Sequence, residues 1–266
     1  MVAFNPASSI PANPTYPLGG QPAFDGGGGL PNSVSELLLW LDANDSPTLT
    51  EVSGAVSVWE DKPGLGVADN ATQGTSGKRP VLTANEIGGL PAVVFDGTDD
   101  FMTGTTFGAL TGYTIFVVTK HTAATTGVVF SVQETSPQGR LQVITNADGS
   151  LQLTNISTVG NNISRTSPAG TAVVNTPFLL RGTWDGGTSD TDLEIFKNGT
   201  QVDNASAGEG TYTGWTSSTK PYEVGSQEVG MFPLPGVIGE LLMYSRKLTS
   251  DEISLVERQL TNKWSL

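Results

Sequence analysis

From Glu36 to Tyr244 the chain is a succession of short apolar or alternating runs punctuated by glycine, proline, asparagine and aspartate. That rhythm fits β-strands and leaves little room for helices. The runs are Leu37 to Leu41, Ala55 to Trp59, Ala92 to Phe95, Thr114 to Thr119, Val128 to Val132, Leu141 to Thr145, Leu151 to Thr154, Phe178 to Trp184, Leu193 to Lys197, Tyr222 to Gly225 and Val237 to Tyr244. Asp148-Gly149 lies between two alternating runs, and Asn198-Gly199 separates Leu193 to Lys197 from Thr200-Gln201-Val202. Such dipeptides supply the positive φ angles of tight hairpins, so the connections are antiparallel and the expected sheets are meanders or Greek keys.

The end of the chain departs from this rhythm. A strand-like run from Gly239 to Leu248 leads into Thr249, a good N-cap, with Glu252 placed to return a bond to the cap's own N–H. Leu248 and Ile253 are spaced as a hydrophobic staple. Ile253, Val256, Leu260 and Trp264 then recur at helical spacing. A short helix with one apolar stripe must lie on something, and the strands are all there is.

The chain has 266 residues, 33 of them glycine and 16 proline, with 15% charged. This suits many short strands in one large all-β domain. A net charge of -13 argues against a nucleic-acid or anionic-membrane footprint, which needs clustered Lys and Arg. Cysteine is absent, which removes disulfides, thiolate metal sites and thiol nucleophiles and fits assembly in a reducing cell. No stretch has the pattern of a secretory signal or the roughly 20 apolar residues of a membrane span. Expectation therefore places the chain inside a cell, or outside it by a route such as lysis.

Residues 1–33 differ from the rest. Pro6, Pro11, Pro14, Pro17, Pro22 and Pro31 alternate with Gly19-Gly20 and Gly26 to Gly29, a composition that builds no core. The expected organisation is an extended N-terminal arm over 1–33 and a sandwich domain over 34–266. Such an arm is ordered only when its own domain or a neighbouring subunit holds it, with Phe4, Ile10, Tyr16, Leu18 and Phe24 as the anchoring side chains.

Several local patterns occur in order: Leu39-Trp40-Leu41-Asp42-Ala43; Val58-Trp59-Glu60-Asp61-Lys62 followed by Gly64 and Gly66; Lys78-Arg79-Pro80; and Leu90-Pro91-Ala92-Val93-Val94-Phe95-Asp96-Gly97-Thr98-Asp99-Asp100. Thr183-Trp184-Asp185-Gly186, Lys197-Asn198-Gly199 and the closing segment to Lys263-Trp264 complete the set. Together, over roughly residues 36–266, they resemble the laminin-G-like branch of the concanavalin A-like lectin and glucanase superfamily. The resemblance implies a two-sheet antiparallel jelly roll, often with a groove on one sheet. It also implies a family that binds glycans, binds protein neighbours or decorates particles on bacterial and bacteriophage surfaces, so fold alone does not give function.

Four constellations are candidates for chemistry. Trp215, with Tyr212 and Tyr222 in a Gly-, Ser- and Thr-rich stretch, offers rings to stack on a sugar; packing at the sandwich edge is the competing reading. Asp96, Asp99 and Asp100 around Gly97 offer oxygen ligands to calcium, the one cofactor considered; the alternative is that Asp-Gly simply makes the turn. Asp190, Asp192 and Glu194 alternate, and on one strand face they would resemble the acidic motif of laminarinase-type glycoside hydrolases. Asp190 follows Gly186-Gly187-Thr188-Ser189, however, which favours a turn, with Leu193 and Ile195 facing the core. His121 is the sole histidine and is expected at a strand end or loop. Trp40, Trp59, Trp184 and Trp264 fall inside regular patterns and are expected in the core.

These features lead to one main expectation and two competitors. The main one is a non-enzymatic bacteriophage virion protein, a capsid decoration or other exterior protein assembled in the host cytoplasm. Its arm would hold it to neighbouring virion proteins, and it would form a homo-oligomer, with a trimer as the natural form. The first competitor is a carbohydrate-binding lectin-like module or host-adhesion protein that contacts surface glycans. The second is a glycoside hydrolase.

Overall fold

The structure, a computed structural model, describes residues 31–62, 69–133, 139–215 and 219–266. The first third holds β1 (Leu37–Asp42), β2 (Leu49–Val52), β3 (Ala55–Trp59), β4 (Ala71–Thr72), β5 (Val81–Ile87), β6 (Leu90–Asp96) and β7 (Met102–Thr103). The middle supplies β8 (Tyr113–His121), β9 (Gly127–Gln133), β10 (Arg140–Thr145), β11 (Leu151–Thr158) and β12 (Asn161–Thr166). Then come β13 (Phe178–Trp184), β14 (Leu193–Lys197), β15 (Thr200–Gln201), β16 (Ala205–Ser206), β17 (Lys220–Val224), β18 (Pro235–Tyr244) and the helix α1 (Ser250–Trp264). Every strand pairing is antiparallel.

The strands form two sheets, and the expected all-β two-sheet antiparallel sandwich with a short C-terminal helix is what is observed. The smaller sheet runs β15-β14-β13-β8-β18-β6-β5, with β1 beside the second half of β18. The larger runs β16-β12-β11-β10-β9-β17-β7-β4-β3-β2. Between them lies a core that includes Trp59, Phe95, Tyr113, Phe130, Leu153, Phe178 and Trp184. The period-2 alternation of the strands puts these residues on one face, and on β8, β13 and β18 the other face is apolar as well. At the hairpin joining β14 to β15, Asn198 and Gly199 have φ of 48° and 75°, the doubly left-handed turn their dipeptide predicts.

β18 is buried along its whole length because it is covered twice. Its inner side chains meet the core, while Leu242 and Tyr244 face a second apolar layer with Phe116, Val256, Leu260 and Trp264. That layer is where α1 docks. Thr249 and Glu252 make the reciprocal capping box, and Leu248 is buried where the staple places it. Gly239 is required here: a Cβ on it would lie 2.8 Å from the Trp264 ring. Residues 31–33, assigned to the arm by composition, form a 3-10 turn against this layer, and the Pro31 carbonyl accepts the Tyr244 hydroxyl. Phe4, Ile10, Tyr16, Leu18 and Phe24 lie outside the described residues, as do Gly64 and Gly66.

Candidate functional site

The ordered sequence patterns converge on a buried charge network under α1. Glu240, 1% exposed, accepts both indole N–H groups, from Trp40 at 2.6 Å and Trp264 at 2.7 Å, and a bond from Lys263 at 2.7 Å. Lys263 also donates to Asp42 at 2.6 Å, which receives Lys62 at 2.9 Å. Burial alone would raise the Asp42 pKa, but Lys263 and Lys62 outweigh it and hold the group low. Burial first, then the Asp42 charge, push Glu240 the other way. Every partner of Glu240 is nevertheless a donor, so the carboxylate form is the one this site is built around. The network is buried and its groups satisfy one another, so it fastens helix to sandwich.

The sequence-derived chemical candidates are mostly used up by the fold. Tyr222 is fully buried, stacked on Phe107 at 5.3 Å, with its hydroxyl donating to the Asp69 carbonyl. Tyr212 packs edge-on against Trp184, and Trp215 joins the same inter-sheet core. This corrects the expectation of a sugar-stacking platform: the packing reading holds, because the core needs these rings more than the surface does.

Asp96, Asp99 and Asp100 do come together, with candidate ligand oxygens within 4.8 Å of one another. Asp96 accepts the backbone N–H groups of Thr98, Asp99 and Asp100, and Asp100 accepts that of Asp96. This is the turn-making role of an Asp-Gly corner. Burial, with Asp96 and Asp99 adding repulsion, raises Asp100 to about 6. Asp190 and Asp192 belong to a capped 3-10 turn, while Glu194 is on β14 and paired with Thr183 and Lys247. The three acids therefore share no strand face, and Leu193 and Ile195 are buried as expected. His121 ends β8, buried, with burial lowering its pKa.

A different site appears on the outer face of the larger sheet. A shallow cleft of about 240 Å³ is lined by Thr126, Val128, Gln142, Ile144, Asn146, Gln152, Gln227 and Phe232. β10 and β11 present Gln142, Ile144 and Gln152 there because Leu141, Val143, Leu151 and Leu153 take the core face. Gln152 and Asn146 are tied into a ladder of side chains with Ser150, Thr154 and Ser164. Gln142 and Gln227 are each only 6% exposed as residues, but their side-chain amides are not among the buried unpartnered groups and reach the water of the cleft.

The rim is the loop from Gly225 to Leu234. Glu223, buried on β17, accepts Ser226 Oγ and the backbone N–H groups of Val229 and Gly230, winding the loop around its carboxylate. Gln227 and Met231 bond each other's backbones, and Arg140 grips Glu228 at 2.6 Å. The winding drives Glu228, Val229 and Phe232 to φ of 49°, 64° and 52°. A β-branched residue there is strained, and strain of this kind gathers at functional loops. It leaves Phe232 50% exposed at the mouth of the cleft, beside exposed Val229 and Met231. Sequence reading missed this site because its amides look like ordinary solvent-side strand residues. The available signal was Val229-Gly230-Met231-Phe232-Pro233, an apolar run broken by Gly and Pro and unsuited to a strand.

No protein-family model matches the chain, and no curated protein matches its sequence. Solved structures do resemble it. The receptor-binding domain of botulinum neurotoxin D superposes with a TM-score of 0.57 at 11% identity, over 85% of this chain and 53% of that one. Trypanosoma rangeli sialidase bound to 2,3-difluoro-KDN gives 0.53 at 13% identity, over 86% of this chain and 33% of the sialidase. The chain thus spans a third to a half of these proteins. The chain shares their β-sandwich fold. At such identities the likeness extends to the fold and no further.

Proposed function

We propose that this chain is a carbohydrate-binding β-sandwich module whose ligand lies in the cleft between Gln142, Gln227 and Phe232. The observation that carries the reading is the pair of side-chain amides that open into the cleft beside a half-exposed ring. An amide open to the cleft trades its water for a ligand hydroxyl, a net gain of about 0.5–1.5 kcal/mol per bond. Sugar hydroxyls both donate and accept, as an amide does, and the apolar face of a pyranose suits an aromatic ring. The cleft is smaller than the roughly 300–1,000 Å³ of enclosed small-molecule sites, which suits a shallow surface for part of a glycan chain.

The competing expectation, an exterior virion protein held to a capsid by its arm, depends on residues 1–30, outside the described residues. A sugar-binding module displayed on a particle would satisfy both readings. The test is saturable glycan binding by the full chain, compared with Phe232→Ala and Gln142→Leu. Each variant should weaken binding about tenfold or more, equivalent to about 1.4 kcal/mol, while melting with the parent. Unchanged affinity in both variants, or no saturable binding to any glycan, overturns the proposal.

A further inference from the structure

Resting on that reading, we infer that the cleft selects neutral glycans and rejects acidic ones, whether the acid is a sialyl, uronic or sulfate group. Among its lining residues none is charged; the polar atoms are amides and the Thr126 hydroxyl. An anionic sugar carries its charge into a site only where a cation or several oriented donors meet it, since an unpaired carboxylate removed from water is costly.

The two guanidinium groups on this face are committed elsewhere, and the nearby ammonium is set at a distance. Arg140, two residues before Gln142 on the same side of β10, is bound to Glu228, next to Gln227, at 2.6 Å. Arg165 on β12 is held by Asp203 at 2.6 Å. Lys220 stands opposite Gln133 in the β17–β9 register, at the far end of β9 from the cleft residue Val128. Beneath the rim loop sits the Glu223 carboxylate, and the chain as a whole carries a charge of -13. Local and global fields therefore both repel an anion. The arrangement suits a neutral hexose or N-acetylhexosamine unit, whose hydroxyl, ether and amide groups answer Gln142 and Gln227 without bringing charge. The Arg140–Glu228 pair makes the rule specific, because it cancels the one guanidinium placed at the rim.

The full chain would be applied to an immobilised set of neutral oligosaccharides and their sialylated, uronic-acid and sulfated counterparts. Affinities of matched pairs would be measured at about 0.15 M and 0.5 M salt, where the Debye length shortens from about 8 Å toward 4 Å. The expected result is binding at least about tenfold tighter to the neutral member. The preference should persist at high salt, because the lining and not the distant net charge sets it. Glu228→Gln, which frees Arg140 and keeps a side chain of similar size, should raise affinity for the acidic members at least about fivefold.

Equal or tighter binding of acidic members overturns the inference and leaves sugar binding intact. So does a preference that vanishes in high salt, or an unchanged acidic affinity in Glu228→Gln. Failure to bind any member overturns the sugar-binding reading and the inference with it.

Discussion

Under α1, the outer face of the smaller sheet shields Asp42, Glu240, Lys62, Lys263 and two indole N–H groups, and each has a partner. On the opposite side of the molecule, the outer face of the larger sheet packs the stems of Gln142 and Gln227 and opens their amides to a cleft. The first face is closed by a helix that brings its own donors. The second is only partly roofed, by a loop held in a strained path by Glu223. Burial with complete pairing makes a fastening, whereas amides held open to water in a cleft make a place for a ligand.

The sharpest way to break this comparison is Glu240→Ala. It strands two buried indole N–H groups and leaves Lys263 with Asp42 alone, and removing one partner of a buried ion pair costs about 3–5 kcal/mol. At about 2–4 °C per kcal/mol in a domain of this size, the melting temperature should fall by about 10 °C or more. Glycan affinity per folded molecule should stay unchanged; a parallel loss would mean that the two faces are not independent.

Next in size is a pH effect at the edge of the fastening. Asp61 accepts the Trp40 backbone N–H, and burial first, with Asp69 adding repulsion, raises its pKa from 3.8 to about 7. The folded state then binds more protons than the unfolded state between about pH 4 and 7, so this group costs stability as pH rises through that window. Urea midpoints of Asp61→Asn should lack this decline, and an identical slope in variant and parent would rule Asp61 out as its source. Glu252 acts oppositely: Arg246 above all, with the Thr249 N–H, lowers its pKa to about 2, so its contribution disappears only as pH falls from about 4 toward 2.

Smaller still is Thr249→Ala, which removes the cap of α1 and should cost about 1 kcal/mol by denaturant unfolding. A loss several times larger would mean that the cap also sets how the helix docks. The smallest change in stability belongs to Phe232→Ala, within about 0.5 kcal/mol, since the side chain is half in water. Its effect should instead fall on glycan affinity, the reverse of Glu240→Ala.

Much of the fold was legible because its signals are local. Apolar runs such as Phe178–Trp184 and Pro235–Tyr244 are buried on both faces, and the capping box of α1 is written in Thr249 and Glu252. Val81–Ile87 and Asn161–Thr166 escaped notice because sheet neighbours, not an apolar pattern, hold their polar residues in strands. Aromatic content misled the site reading. Tyr212, Trp215 and Tyr222 sit in a loop-like composition, yet the sandwich draws all three into its core. Phe232 looked unremarkable and is the ring left outside.

The sequence by itself determined the antiparallel β architecture and the helix with its cap, because strand alternation, turn chemistry and capping act over a few neighbouring positions. Only the tertiary structure decided that Glu240 would join Trp40 to Trp264, and that Gln142 and Gln227 would meet across a cleft. Those pairings span tens to hundreds of residues. They depend on which strands become neighbours and on which side chains the core claims first.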